Sequence, residues 1–352
     1  MRFNFTEDQT MFGQSLGSFL ENEYTAEFAR SLWDTDTGRS DKLWTALAGL
    51  GVTGVVVPAE HGGLGLSMVE MAILLEEAGR ATLAEPLIDG LAVAAPLLSE
   101  LGGELAANWL PKVAAGEARI AVGHEISPTV ADAATADLLL VQQGDELHGL
   151  VPAQVELEPQ PSNDPSSRLF AVRWQAGDET RLASGDEARR LLDLACDHGA
   201  VATAAYLLGA GRAMVAQAAA YANEREQFGK PIGSFQAVKH HLANVQVRLE
   251  FARPVLYRAA YALCQGDGSA AATMAASHAK AAASEAALLA AKTALQVHGA
   301  IGYTWELDLQ IWMKRAWAVE ASWGTGLWHR SRLATALLDQ EGSREAATIG
   351  GV

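Results

Sequence analysis

The chain has 352 residues, of which 49% are hydrophobic and 19% charged, and its formal net charge at pH 7 is −16. This composition is typical of a folded protein of two or three domains and argues against intrinsic disorder. The excess of acidic residues argues against nucleic acid or an anionic membrane surface as the main partner. An anionic ligand would therefore have to be met by local clusters of Arg, Lys and backbone N–H groups.

The cysteines and the apolar segments bear on the cellular compartment. Cys196 and Cys264 are too few for a disulfide framework and show no metal-ligand spacing, so we expect buried thiols and no metal site. The first residues lack the continuous apolar segment of a secretory signal. The alanine-rich run AAATMAASHAKAAASEAALLAAKTAL is interrupted by His278, Lys280 and further charges, so no membrane span is expected. These patterns predict a cytoplasmic protein.

Residues 1–118 show the spacing of amphipathic helices. Thr6, followed by two acidic residues, is expected to start the first helix, and Ser40 a later one. Ser67 is expected to cap the helix MVEMAILLEEAGRA after a turn rich in Pro and Gly. The pattern predicts an N-terminal α-helical domain.

Between residues 119 and 185 the pattern changes to short β-type runs divided by Gly-Asp and Pro turn signals: RIAVGHEI, DLLLVQQGDELHGLVPA, VELEPQP and RLFAVRW. Roughly sixty to seventy residues are available, which is little more than a minimal sheet domain. We therefore expect a reduced middle β domain.

Residues 186–352 are helical again and rich in alanine. A long first helix is followed by a second after Pro231, a third over Ser269–His298 and a fourth over Leu309–Asp339. Four long helices joined by short turns predict a bundle. The expected fold class is α+β and mainly α, in the order helical domain, small β domain, four-helix bundle.

The corner between the first two helices of this bundle has an unusual polar set. The stretch NEREQFGKPIGSFQAVKHHLANV, residues 223–245, carries Arg225 into a Phe228–Gly229 stop and then restarts a helix at once. A plain corner needs Gly and Pro but no particular polar side chains. Either a charged ligand lies against the corner, or Phe228 is core and Arg225 pairs with a neighbouring glutamate.

A second motif stands downstream: ALQVHGAIGYTWELDLQIWMKRA at residues 294–316, followed by SWGT at residues 322–325. Together with Arg-x-x-Phe-Gly and the following Phe-Gln at the corner, and with the helix–sheet–helix order, it resembles the acyl-CoA dehydrogenase family. The resemblance covers essentially the whole chain. It implies the fold of that family, FAD as cofactor, an acyl-CoA substrate and an oligomer.

In that family the corner contacts the adenosine diphosphate half of an FAD bound mainly by a neighbouring subunit. By resemblance, Arg225 would pair with the pyrophosphate, because a bidentate guanidinium suits phosphate oxygens. Ala300 stands where the family usually has Gly. The cofactor-binding residues implied by the resemblance are Arg225, Gln227, Phe228, Ile232, Phe235, Gln236, Gln296, Val297, Gly299, Ala300 and Thr325.

The catalytic base of the family is not visible in this sequence. A carboxylate removes the α-proton of the acyl thioester while N5 of FAD accepts the β-hydrogen as hydride, and it must lie within reach of that α-carbon. The family carries it just before the Gly-Thr pair, here Trp323, or near the start of the first helix of the last domain, here Gly199. The remaining candidates are Asp197, expected as an exposed acid on another side of the helix, and Glu125.

The β region departs from the family pattern as well. Where a Glu-Pro-Gly-x-Gly-Ser run is usual, this chain keeps Glu125 without the glycines, and Ala176 replaces the Ser or Thr after Trp174. The arginine that usually follows the helix-start base is Ala200. The parts that act within one subunit are therefore missing, and the parts supplied to a neighbour's FAD are retained.

This pattern resembles the shortened, non-catalytic β subunit of heteromeric α2β2 acyl-CoA dehydrogenases of sterol side-chain catabolism. Three hypotheses follow. The chain is the partner of a catalytic subunit in a heterotetramer; or it is a self-sufficient homo-oligomeric dehydrogenase with a displaced base; or it is a non-enzymatic scaffold that keeps the bundle. Fold alone does not separate them.

Overall fold

A computed structural model describes residues 4–266 and 268–338. Its N-terminal part contains the helices α1 (Glu7–Glu23), α2 (Ala26–Trp33), α3 (Asp41–Gly49), α4 (Met68–Ala81), α5 (Ala94–Leu101) and α6 (Gly103–Ala114). The π-helical segment Leu87–Val93 leads directly into α5. Thr6 and Ser67 start α1 and α4 with reciprocal capping boxes, as the sequence predicts.

The middle part forms two small sheets. Their strands are β1 (Ile120–Gly123), β2 (Val130–Ala131), β3 (Leu138–Gln143), β4 (Glu146–Leu150), β5 (Glu156–Gln160), β6 (Leu169–Arg173) and β7 (Arg181–Ser184). One sheet has the order β1-β3-β4-β7, in which β1 runs parallel to β3 and the other pairs are antiparallel. The other is the antiparallel sheet β2-β6-β5. Leu139, Val141 and Phe170 belong to a small core separate from the main one.

The C-terminal part is helical, with α7 (Gly185–Glu224), α8 (Gln236–Leu263), α9 (Ala270–His298), α10 (Leu309–Ala321) and α11 (Gly326–Leu338). A hairpin of β8 (Glu226–Gln227) and β9 (Lys230–Pro231) joins α7 to α8. The helix–sheet–helix order is that of the predicted fold. The proposed domain boundaries lie between α6 and β1 and one residue inside α7.

The prediction of one helix over residues 309–339 is wrong. The chain leaves the helix between Ala321 and Gly326, where Trp323 (φ 55°) and Gly324 (φ 82°) adopt the left-handed conformation. The buried Lys280 of α9 ends α10, since its Nζ donates to the carbonyls of Glu320 at 3.1 Å and Ser322 at 2.6 Å. Such a side chain from another helix leaves no trace in the local apolar spacing. Asp339 lies outside the described residues.

Helix α7 lies at the centre of the main core. Where it crosses α4, a Cβ on Gly79 would lie 1.9 Å from the carbonyl oxygen of Tyr206, and one on Gly209 would lie 1.8 Å from that of Glu76. Glycine is required there by close approach of the two backbones. By length and composition α7 could cross a membrane, contrary to expectation, but 83% of its apolar window is buried inside the protein.

Candidate functional site

The corner after α7 projects from the bundle. Phe228 (φ 54°) and Gly229 (φ 75°) are the central residues of the β8–β9 hairpin, and both are left-handed as tight hairpin turns require. The Phe228 side chain is 91% exposed and meets the ring of Phe235 edge-on, with the centroids 6.1 Å apart. Lys230 Nζ lies 4.5 Å from the centroid of Phe235. Phe228 is therefore not a core residue.

Arg225 is also exposed and, within residues 4–266 and 268–338, its guanidinium forms no hydrogen bond or ion pair. Its backbone is held by the carbonyl of Tyr221 and by the N–H of Ile232, both at 2.8 Å. The first turn of α8 has no side-chain cap, so its N–H groups remain available. An unpaired guanidinium and an uncapped helix N-terminus at one corner are suited to a phosphate group.

The downstream motif lies at the same end of the bundle. Helices α7 and α9 run parallel, and at their C-terminal ends the ring of Tyr221 stacks on that of His298 with centroids 4.4 Å apart. Gly299 then ends α9 with a left-handed φ of 64°. Gln296, Gly299 and Ala300 are exposed there, and Val297 is partly buried. The corner and the second motif therefore share one surface.

Thr325 lies elsewhere. Its hydroxyl accepts from the N–H of Trp328 at 3.2 Å, and the adjacent Gly326 packs against Ser284 in α9. Ser284 precedes His298 by fourteen residues, which is roughly 20 Å along a helix. Within one chain, Thr325 is thus separated from the other predicted cofactor-binding residues.

The two places where the family carries its base meet in space. A Cβ on Gly199 would lie 2.1 Å from Cδ2 of the Trp323 ring, so the indole fills the room that a side chain at position 199 would need. Trp323 is buried, its Nε1 donates to Asp89 Oδ1 at 2.6 Å, and its carbonyl accepts from His329 Nε2 at 2.8 Å. Position 323 itself holds an indole, which cannot act as a carboxylate base.

The two catalytic candidates, Asp197 and Glu125, form hydrogen bonds with other parts of the chain. Asp197 is buried, which corrects the expectation of an exposed acid: its carboxylate accepts from Arg332 Nη1 at 2.6 Å and from Thr273 Oγ1 at 2.5 Å. Burial raises the pKa of Asp197, and the neighbouring Arg332 acts in the opposite direction. Asp197 is buried because α9 and α11 cover the face of α7 that carries it. Glu125 is exposed and accepts from the N–H of Gly144 at 2.8 Å.

A cavity of about 230 Å³ lies between the π-helical segment, the β region and α10, with Trp323 on its wall. Two carboxyl groups that sequence reasoning missed line it: burial raises the pKa of Glu85 to about 7 and that of Asp89 to about 6. They lie in the apolar run AEPLIDGLAV, where no spacing marks them. Ligand pockets usually span about 300–1,000 Å³, so this cavity lies below the usual range.

In the part of the chain that the structure describes, no three His, Cys, Asp or Glu side chains are placed to hold a metal ion.

Comparison with known proteins agrees with these features. The family model described as "Acyl-CoA dehydrogenase, C-terminal domain" matches residues 190–338, and "Acyl-CoA dehydrogenase, N-terminal domain" matches residues 6–117. The chain is 30% identical to acyl-CoA dehydrogenase IpdE2 of Mycolicibacterium smegmatis, over 88% of this chain and 93% of that protein. It is 33% identical to acyl-CoA dehydrogenase FadE34 of Mycobacterium tuberculosis, over 82% of this chain and 41% of that protein.

Solved structures have the same fold. The Tcur3481–Tcur3483 steroid acyl-CoA dehydrogenase, in a G363A variant, superposes with a TM-score of 0.84 and 26% identity, over 95% of this chain and 98% of that one. The ChsE4–ChsE5 complex from Mycobacterium tuberculosis superposes with a TM-score of 0.83 over 96% and 99% of the two chains, and at 22% identity it shows the fold alone. This chain therefore belongs to the acyl-CoA dehydrogenase family, whose members are FAD-dependent oxidoreductases.

Proposed function

We propose that this chain is the non-catalytic subunit of a heteromeric acyl-CoA dehydrogenase and that it contributes contacts to an FAD held mainly by a catalytic partner subunit. The observation that carries the proposal is the pairing of Gly199 with Trp323. An indole fills the space that both base positions of the family face, whereas the exposed Arg225 guanidinium has no partner among the described residues.

The residues of the corner have defined roles in this proposal. Arg225 neutralises the pyrophosphate, and the N–H groups of the first turn of α8 add the favourable end of a helix dipole. Phe228 and Phe235 offer aromatic surface, which becomes buried only when a ligand or partner covers it. Gly299 and Ala300 let the adenosine approach the backbone closely, because they carry little or no side chain.

In this proposal the FAD and the catalytic partner subunit perform the reaction. FAD, when bound, accepts the β-hydrogen of the acyl thioester as hydride. This chain places no carboxylate at the base positions, and the cavity beside Trp323, at about 230 Å³, is smaller than a usual ligand pocket. The α-proton is therefore taken by a base of the catalytic subunit, and this chain positions the cofactor without touching the reacting atoms.

The relatives favour a heteromer and a substrate class. Two structures with this fold are named as pairs of chains, Tcur3481–Tcur3483 and ChsE4–ChsE5, and the first is named a steroid acyl-CoA dehydrogenase. The resemblance to the heteromeric members of the family implies that the complex is an α2β2 tetramer. We therefore propose an acyl-CoA thioester with a steroid-derived acyl group as the first substrate to assay, with a catalytic acyl-CoA dehydrogenase subunit as the partner.

The first experiment compares the chain alone with the chain co-expressed with a longer homologue that has an intact base. The chain alone should purify with little or no FAD and no dehydrogenase activity, and the complex should hold FAD and turn over acyl-CoA. Stoichiometric FAD and turnover on the isolated chain would contradict the proposal and favour the self-sufficient enzyme. Asp89 would then be the base to test first, since it is the carboxylate bonded to Trp323.

The second experiment tests the corner itself. Charged hydrogen bonds contribute roughly 1.5–3 kcal/mol, which is about tenfold to more than a hundredfold in affinity. Arg225→Ala should weaken FAD retention in the complex by this factor and leave the melting temperature of the chain unchanged, because Arg225 has no partner in the described part of the chain. Arg225→Lys should recover only part of the affinity, since a point charge does not reproduce the bidentate fork.

The matched control is Arg258→Ala, which removes an exposed arginine near the other end of α8 and should leave FAD retention unchanged. Equal FAD affinity for the wild type and Arg225→Ala in an intact complex would contradict the assignment of the corner to the cofactor.

A further inference from the structure

We propose that a second cavity of this chain, of about 530 Å³, binds a primary amine that has an apolar body and a second hydrogen-bond donor. The cavity lies beside α5 and α7, where α8 ends and α9 begins. Its volume is within the usual range of ligand pockets, about 300–1,000 Å³. It shares no lining residue with the cavity beside Trp323, and the proposal does not depend on the FAD contacts or on the partner subunit.

His198 presents an unpaired acceptor to this cavity. Its Nδ1 lies 3.1 Å from the carbonyl oxygen of Ala92, and a carbonyl only accepts, so Nδ1 carries the ring proton. Burial lowers the pKa of His198 to about 4, so the ring is neutral at pH 7 and Nε2 is an acceptor. No residue in the described part of the chain bonds to Nε2, yet this atom is not fully enclosed. Because His198 lines the cavity, the free side of Nε2 opens into it.

Asp193 is the second acceptor on the wall without a hydrogen bond. Within the described residues, the one cation within 4 Å of its carboxylate is Arg332, whose Nη2 lies 3.7 Å from Oδ1, too far for a hydrogen bond. Nη1 of the same arginine donates to Asp197 Oδ1 at 2.6 Å. The Asp193 side chain is 73% exposed, which places it at the mouth of the cavity.

The charges around the cavity leave an excess of one negative charge. Arg190 donates to Glu100 Oε2 at 2.7 Å, so the charges of these two side chains cancel. Arg332 offsets one of the two aspartates that it approaches, and the much shorter contact assigns it to Asp197. The carboxylate of Asp193 is therefore the uncompensated charge, and it favours a cation over an anion.

The helix ends at the cavity act in the same direction. Helices α5 and α8 both reach it with their C-termini, which carry a partial negative charge. The N-terminus of α9 has the opposite sign, but Asp197 already meets it, since its carboxylate accepts from Thr273 Oγ1 at 2.5 Å. A monocation is thus the charge type that suits the site.

The positions of the two acceptors set the shape of the ligand. Asp193 and His198 are five residues apart on α7, so their Cα atoms lie roughly 8–9 Å apart. A ligand that reaches both places its ammonium group at the mouth and a second donor at Nε2. The wall also contains apolar residues that would contact its body: Val56, Pro96, Leu194, Ala262, Leu263 and Ala272. An arylalkylamine with a ring N–H has this arrangement.

The test uses tryptamine as the probe on the purified chain, by titration calorimetry and by thermal shift. Tryptophol replaces the ammonium group with a hydroxyl, indole-3-acetate has the opposite charge, and the benzothiophene analogue of tryptamine replaces the ring N–H with sulfur. Tryptamine should bind about fivefold more tightly than tryptophol, because an exposed ion pair contributes little. It should bind about threefold to tenfold more tightly than the sulfur analogue.

Three results would overturn the proposal. The first is no heat and no thermal shift at about 5 mM tryptamine. The second is equal or tighter binding of indole-3-acetate, which would contradict the charge of the wall. The third is equal binding of the sulfur analogue, which would contradict the acceptor at His198.

Variants locate the binding. Ala262→Leu should fill part of the cavity from α8 and weaken tryptamine at least tenfold, whereas Ala243→Leu, at an exposed position of the same helix, should leave the affinity unchanged. If Ala262→Leu did not fold, Asp193→Asn would serve, since it adds no volume. It should lower the affinity for tryptamine to that for tryptophol and leave tryptophol unaffected, and the matched control is Asp186→Asn in the first turn of α7. Tryptamine binding that neither cavity variant changes would place it elsewhere and refute the assignment.

Discussion

The pH dependence of the protein's stability tests whether the carboxyl group of Asp89 is buried beside the cavity that Trp323 lines. Burial raises its pKa from 3.8 to about 6, and the hydrogen bond from Trp323 Nε1 acts in the opposite direction. The folded protein therefore keeps a proton on Asp89 up to about pH 6, whereas the unfolded chain loses it near pH 4. Consequently, the contribution of Asp89 to stability falls as the pH rises from about 4 to about 6, and it remains low at higher pH.

Asp89→Asn should remove this cost. Asparagine resembles the protonated acid, and its Oδ1 can still accept from Trp323 Nε1. A shift of about two pKa units corresponds to roughly 3 kcal/mol. The variant should therefore be more stable than the wild type by up to about 3 kcal/mol at pH 8 and nearly equal to it near pH 4. Urea titrations followed by circular dichroism between these pH values measure the difference.

The comparison needs a control, because the partly buried His198 and the buried His329 make the stability of the wild type rise with pH, which is opposite to the effect of Asp89. Burial lowers the pKa of each to about 4, so they reduce stability as the pH falls from about 6.5 to about 4. Both act equally in the wild type and the variant. Asp36→Asn, at an exposed position, should change stability by less than about 0.5 kcal/mol at every pH. A variant that is no more stable than the wild type at pH 8 would refute the reasoning.

Two further predictions concern α7. Gly199→Ala should destabilise the chain by about 1–3 kcal/mol, because the new Cβ would lie 2.1 Å from the Trp323 ring. Most of this penalty should disappear in a Trp323→Gly background, which thermal melts of the double-mutant cycle measure. A penalty that persists there would contradict the contact. Asp197→Asn should destabilise the chain by about 1–3 kcal/mol, because it weakens a buried ion pair with Arg332, and should leave the activity of a reconstituted complex within about threefold. A thousandfold loss of activity would instead make Asp197 the base.

Much of the architecture could be predicted from the sequence because its signals are local. The caps at Thr6 and Ser67 and the helical spacing of apolar residues depend on neighbours within one turn. The alternating and β-branched runs after residue 119 depend on neighbours two residues away. The corner and the downstream motif could be read as a cofactor surface before their places were known, because each is a continuous stretch of chain.

Other features depend on residues that are distant in sequence, and only the tertiary structure decided them. The break after α10 depends on the buried ammonium group of Lys280, which lies one helix earlier in the chain. Asp197 is buried because α9 and α11 pack over the face of α7 that carries it. Strand β7 escaped prediction because its pairing with β4 is specified by the partner strand rather than by its own pattern.

The sequence by itself determined that neither base position carries a carboxylate. It did not determine that Gly199 and Trp323, 124 residues apart, face one space, or that an indole fills that space and bonds to Asp89. The acids Glu85 and Asp89 look like ordinary surface residues of a helical run, and their raised pKa values arise only from burial against the β region and α10. Side-chain identity is a local property, whereas desolvation and steric exclusion depend on every element that packs around a site.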